Sequence, residues 1–290
     1  MIRVGVAGWD YPDWEGVVYP ARSGARFDRL AFLSRYVETI EINTTFYRPA
    51  APRTAESWVR RTEGRPLFRF CAKTHRALTH EPEGDLDAAA RDTLAGLRPI
   101  LEAGRLGALL VQFPQSFRRT AAAWQHLERV LERLSGWPVV VELRHRSWEA
   151  EATAERLEQL ASGIVVVDQP QLGRSTARVL PRVTGAVGYL RLHGRNARNW
   201  FRAEAGRDAR YDYLYSLAEL EPLVRTARVM ALAARELYVV QNNHFRGQAL
   251  VNALQLRHLL EAEPPAAPED LTRAYPQLEP LVRVERTRLL

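Results

Sequence analysis

Eight short apolar runs, each followed by a helix-like or loop-like stretch, limit the fold more than any other feature of the chain. They are IRVGVAG (Ile2–Gly8), TIEIN (Thr39–Asn43), LFRFCAK (Leu67–Lys73), LGALLVQF (Leu106–Phe113), VVVEL (Val139–Leu143), GIVVVD (Gly163–Asp168), VGYLRLH (Val187–His193) and ELYVVQNN (Glu236–Asn243). Runs this continuously apolar suit parallel strands covered on both faces. Helical patterns are predicted within FDRLAFLSRY (Phe27–Tyr36), from near Thr54, from around Asp85, over Thr120–Leu134, from about Ala150, over Leu217–Ala234 and over Gln248–Leu260, with long loops after strands six and seven. Eight βα units in about 260 residues fit an α/β fold of the (β/α)8 TIM-barrel type, with parallel strands in a single domain. An open doubly wound sheet is the runner-up, yet no G-x-G-x-x-G follows a strand and no G-x-x-x-x-G-K-[ST] is present. The barrel is expected over residues 1–261. Residues 262–290 are expected to be a Pro-rich linker, EPPAAPED, and an extension that is either a short helix packed on the barrel or loose.

Composition excludes several classes. The chain is 46% hydrophobic and 26% charged, which suits a globular core. The start MIRVGVAGWDYP lacks the layout of a signal peptide, and no stretch approaches the ~18 apolar residues of a membrane span, so a cytoplasmic protein without membrane contact is expected. The single cysteine, Cys71, excludes an internal disulfide and any thiolate-rich zinc site. A net charge of +7 raises nucleic acid as a partner, but arginines alternate with acidic residues in stretches such as QHLERVLERL (Gln125–Leu134), so a solvated face is preferred. Of 41 basic residues, Lys73 is the one lysine. Arginine cannot replace an amine as a titratable donor or Schiff-base former.

The strands turn polar at their C-terminal ends, where a barrel of this kind gathers its active-site loops. Side chains alternate between the barrel interior and the helix layer. With that period, strand two ends in Glu41 and Asn43, strand five in Glu142 and Arg144, and strand seven in Arg191 and His193. Lys73 closes strand three, Gln112 nears the end of strand four, Asp168 ends strand six, and Asn242 with Asn243 ends strand eight. A shared polar mouth is the economical reading.

The stretches GWDYPDWEGVVYP, TIEINTTFYRP, KTHRALTH, LLVQFPQSF, VVELRHRSW, YLRLHGRN, RYDYLYS and QNNHFRGQALVNA occur in this order. Together they resemble the YecE-like family, domain of unknown function 72, over roughly Val4 to Leu260. The resemblance implies a barrel of the triosephosphate-isomerase type and assigns no reaction. This chain has GVAGW where the pattern carries GTSGW, so hydroxyls are missing at Val6 and Ala7, and VVQNN where an aromatic often precedes the Asn pair.

The chemistry is therefore argued from the site. Glu41 and Glu142 are candidates for an acid/base pair or for metal ligands across the mouth; the competing reading is that Arg144 or Arg191 neutralises each in a buried ion network. His193 is the leading proton shuttle. His145 has the opposite parity to Glu142 and ranks lower, as do His75 and His80 in the loop after Lys73. Lys73 is a candidate for anion binding, acid catalysis or a Schiff base, with the anion role preferred. Arg191, Arg195, Asn196, Asn242, Asn243 and Gly247, with the amides that open the last helix, offer a phosphate site. Trp9, Tyr11, Trp14 and Tyr47 form either a stacking wall for a substrate ring or a plug. Glu41, Glu142, Asp168 and His193 are ligand types for Mg or Mn, but no H-E-x-x-H accompanies them, so a tightly held metal is not expected, and no cofactor is indicated. The favoured function is an enzyme acting on a small anionic substrate. A metal-dependent hydrolase or nucleic-acid-processing enzyme and a non-catalytic ligand-binding barrel are the alternatives.

Overall fold

The computed structural model describes residues 1–286 apart from 22, 25, 82, 173–180, 201 and 203–208. The long loops expected after strands six and seven fall in part outside the described residues. Eight parallel strands close a barrel in chain order: β1 (Ile2–Ala7), β2 (Thr39–Ile42), β3 (Arg69–Lys73), β4 (Leu106–Gln112), β5 (Val139–Glu142), β6 (Gly163–Asp168), β7 (Val187–Leu192) and β8 (Glu236–Gln241), with β8 returning to β1. Each strand lies where an apolar run predicts it. Several end a residue or two earlier than the run, because the ladder is continued there only by single bonds, such as His193 N to Asp168 O and Asn242 N to Leu192 O.

The helices follow the same plan. They are α1 (Arg29–Leu33), α2 (Pro52–Arg61), α3 (Leu86–Glu102), α4 (Ala121–Arg133), α5 (Glu151–Gln159), α6 (Leu217–Ala233) and α7 (Gln248–Leu260). Their starts are set by side chains that accept an orphan amide: Asp28, Asp85 and Thr120 cap α1, α3 and α4, and Ser216 with Glu219 forms a capping box on α6. One strand face packs against these helices in the main core. The other fills the barrel with Ala7, Cys71, Leu110, Val140, Val165, Val167, Tyr189, Tyr238 and Val240. The interior is a packed plug, and Tyr238 fits only because Gly107 faces it: a Cβ there would lie 2.3 Å from the ring. At the N-terminal end, Arg3 pairs with Glu236 at 2.9 Å and closes the floor.

The segment after Glu261 is folded. Ala266–Pro268 (β9), inside the stretch expected as a linker, pairs in parallel with Arg283–Glu285 (β10), and α8 (Glu269–Ala274) lies between them. Leu271 and Leu278 are fully buried in the main core, so this segment is packed on the barrel. Among the described residues no helix is long and apolar enough to cross a membrane.

Candidate functional site

Interior parity carries Glu41, Lys73, Gln112, Glu142 and Arg191 to the top of the plug, and short 3-10 turns after β1, β2, β3, β5 and β8 roof it. The deepest polar layer is one connected ion network. Arg191 donates from Nε and Nη2 to Glu41 (3.0 and 2.6 Å) and from Nη1 to Glu142 (2.9 Å). Tyr189 donates its hydroxyl to Glu41 at 2.7 Å, and Arg144 Nε reaches Glu142 at 2.6 Å. Both carboxylates are fully buried. Burial opposes ionisation of Glu142, but the Arg144 and Arg191 guanidiniums outweigh it and hold the carboxyl well below the usual range. The two acids expected to face each other across the mouth instead share one guanidinium, the arrangement weighed as the competing reading.

His193 lies beside this network. Asn242 Nδ2 donates to its Nδ1 at 2.8 Å, which leaves the ring proton on Nε2, 3.5 Å from Glu142 Oε1. Burial pushes the imidazole down to about 3 despite the nearby carboxylate, so the ring is neutral. It is fully buried and does not border the cavity above.

That cavity, about 500 Å³, opens on the barrel axis. Lys73, Arg144 and Arg191 line its lower part, with the amides of Asn43, Gln112 and Asn242. Trp9, Tyr11, Phe46, Tyr47 and Tyr211 form its walls. The turn after β2 is tied down by Thr45, whose hydroxyl donates to the Lys73 carbonyl at 2.6 Å. This puts the Phe46 ring against the amine: Nζ stands 3.7 Å from the ring centroid. The amine makes no hydrogen bond or ion pair among the described residues. Burial, then Arg191 and Arg144, push it down to about 7. Tyr11 donates to Ala7 O at 2.7 Å and stacks on His244 at 4.4 Å, and Trp9 meets Trp58 edge-on.

The barrel thus gathers polar side chains from the ends of β2, β3, β4, β5, β7 and β8 at one mouth. Residues 3–277 match the family described as "Protein of unknown function DUF72". The chain belongs to that family. A DUF72 protein from Thermotoga maritima MSB8 is 34% identical, with a TM-score of 0.79 over 90% of this chain and 99% of its own. One from Enterococcus faecalis V583 is 26% identical, with a TM-score of 0.80 over 91% of this chain and 96% of its own. The "UPF0759 protein YunF" of Bacillus subtilis (strain 168) is 27% identical over 276 residues, 91% of this chain and 96% of that protein. The match to DUF72 runs past Glu261 into the folded extension.

Several candidates of this DUF72 barrel do not reach the mouth. Asp168 is out of phase with the interior Val165 and Val167; it accepts Arg195 (2.9 and 2.7 Å) and the Tyr215 hydroxyl (2.7 Å) in a separate cleft. It therefore does not join Glu41, Glu142 and His193. Among the described residues no group of three or more His, Cys, Asp or Glu is placed to hold a metal. The expected phosphate grouping is dispersed as well. Arg195 is engaged by Asp168, Asn196 donates to the carbonyls of Ala209 and Asp212, and Asn243 donates to Tyr213 O and Asn252. Gly247 supplies the left-handed turn before α7, where the Arg246 amide is taken by Asp13. Trp14 is a buried plug that donates to His244 O at 2.7 Å. His75 and His145 cap local turns, and His80 sits behind Phe46, bonded to Thr79, where burial and Lys73 push it down to about 4. Residues that sequence reasoning did not single out are Tyr189, Phe46, Tyr211 and His244. Tyr189 shares the parity of Arg191 and was accessible to the same rule; the other three lie within the quoted family motifs but depend on loop geometry.

Proposed function

We propose that this barrel is an enzyme that holds a small anionic molecule, a carboxylate or a phosphorylated compound, in the mouth cavity and moves a proton on it. The observation that carries the reading is the layering of charge. Lys73, Arg144 and Arg191 border the cavity, whereas the carboxylates that balance the guanidiniums lie beneath them and do not. A ligand at the cavity floor is nearer the cations than the anions, so the local potential is positive even though the buried charges nearly cancel. In this reading Glu41 and Glu142 position Arg191. Glu142, held ionised by Arg144 and Arg191, is a poor acid, so proton transfer falls to Lys73, whose Nζ is poised near neutrality. Trp9, Tyr11 and Tyr211 would enclose the apolar part of the ligand.

Thermal unfolding with inorganic phosphate and with malonate tests this. Arg144 is the residue to remove, because it borders the cavity while Arg191 keeps its own bonds to both carboxylates. An anion at about 100 times its Kd should stabilise the wild type by roughly 2.7 kcal/mol. Arg144→Ala should lose most of that gain. Equal gains in both proteins, or none in the wild type with either anion, would refute the reading.

A further inference from the structure

We infer that the Lys73 amine is a nucleophile that condenses with the carbonyl group of a small anionic aldehyde or ketone, forming a Schiff base in the mouth cavity. The inference rests on the anion reading above and adds the class of substrate. Three observations meet at Nζ. The amine lies against the Phe46 ring with no hydrogen bond or ion pair among the described residues, whereas a partly buried lysine serving structure is expected to be paired. It borders the same cavity as Arg144 and Arg191, so an anionic group held by the guanidiniums brings its own carbonyl to the amine. And it is the one lysine among 41 basic residues, placed where a guanidinium would have no such chemistry.

Burial and the two guanidiniums make the amine reactive. Pushed down to about 7, roughly half of it is neutral at pH 7, against about one part in 10^3 for an ordinary lysine. The charged groups facing it are Arg144 and Arg191, which disfavour its protonation, and Glu41 and Glu142 beneath, which partly offset them. In the step itself Nζ attacks the carbonyl carbon, the C–N bond forms, and the carbonyl π electrons move to oxygen. One amine proton passes to that oxygen and gives a carbinolamine. A second proton, drawn from solvent, lets the hydroxyl leave as water while the nitrogen lone pair forms the C=N bond. The iminium carries the single positive charge that a protonated amine would, and the substrate's anion compensates it. Asn43, Gln112 and Asn242 line the same space with neutral amides, suited to a hydroxyl and adding no charge.

The anionic carbonyl has two sources, 2-oxo acids and phosphorylated aldehydes or ketones, and the test separates them. The full-length protein is incubated at pH 7 with glyoxylate or pyruvate in one arm, and with glycolaldehyde phosphate or dihydroxyacetone phosphate in the other. Sodium cyanoborohydride traps the imine, and propanal is the neutral control. With one lysine in the chain, peptide mass mapping separates Lys73 from the Met1 amine without ambiguity. The expected result is one adduct per chain on Lys73, at least about tenfold above propanal, the factor that ~1.4 kcal/mol of anion binding supplies. Lys73→Arg, checked for folding by circular dichroism, should carry none. Arg144→Ala, which retains the amine, should fall to the propanal level. No Lys73 adduct with any of the four anionic carbonyls overturns the inference; if phosphate and malonate still stabilise the protein, the anion reading survives that failure. Lys73 labelling by propanal equal to that by the anions overturns both.

Discussion

Arg191→Met strikes the centre of the polar plug. The guanidinium is buried, and all three of its nitrogens donate to Glu41 or Glu142. Glu142 would keep Arg144, but among the described residues Glu41 would keep only the Tyr189 hydroxyl. Removing one partner of a buried ion pair costs about 3–5 kcal/mol, because the partner left behind is an uncompensated charge. That is a large part of the roughly 5–15 kcal/mol expected for a folded domain. The double variant Arg191→Met/Glu41→Gln removes the stranded charge along with its partner. It should recover enough to show a coupling of about 2 kcal/mol, within the range found for directly contacting residues. Urea unfolding at pH 7, followed by tryptophan fluorescence, gives the comparison through the midpoint at unchanged slope. A loss below about 1 kcal/mol in Arg191→Met, or a double variant as unstable as the two single losses added together, would refute the argument that this network is held by charge compensation.

Lys73→Met should change how stability depends on pH. The folded amine titrates near 7 and the unfolded one near 10.5, so the unfolded chain binds the extra proton between those values. Stability is then fully present above 10.5 and is lost as pH falls toward 7, with a slope of up to about 1.4 kcal/mol per pH unit. Between pH 7.5 and 9.5 the variant should lack this slope and be the more stable protein at the lower pH; parallel urea midpoints would contradict it. Gly5→Ala tests the closeness of β1 to β2, since a Cβ there would stand 1.8 Å from the Thr39 carbonyl oxygen. Such overpacking costs about 1–3 kcal/mol or more, read from the same urea curves, and a neutral result would show that the strands separate without cost.

The barrel was legible because its signal is repeated eight times and each repeat is local. Strand content follows from runs such as GIVVVD, and β6 occupies that run from end to end. The mouth was legible through period two: Glu41, Glu142 and Arg191 lie on the interior face where alternation puts them. Applied strictly, the same rule excludes two candidates. Asp168 follows the interior Val167 directly, and Asn243 follows the interior-facing Asn242, so both turn toward the helix layer. What alternation cannot supply is the partner. That Arg191 bridges two carboxylates from β2 and β5 depends on distances across the barrel. That Phe46 underlies Lys73 depends on a turn fixed by one hydroxyl, and the Tyr11–His244 stack joins loops more than two hundred residues apart. The dispersal of the expected phosphate site has the same origin. Arg195 is taken by Asp168 at the end of β6, Asn196 by carbonyls of its own loop, and Asn243 by the Tyr213 carbonyl and Asn252, so each is committed to the protein before a ligand would reach it.

An amine about half neutral at pH 7, in a cavity bordered by two guanidiniums, is the central claim, and the composition of the chain allows it to be measured directly. Protein carrying isotopically labelled lysine gives the signal of one side chain, and its NMR titration reports Lys73 alone. The expected midpoint is about 7 and rises when phosphate or malonate is added, because a bound anion favours the ammonium. A midpoint at the ordinary lysine value of 10.5, unmoved by either anion, would contradict it.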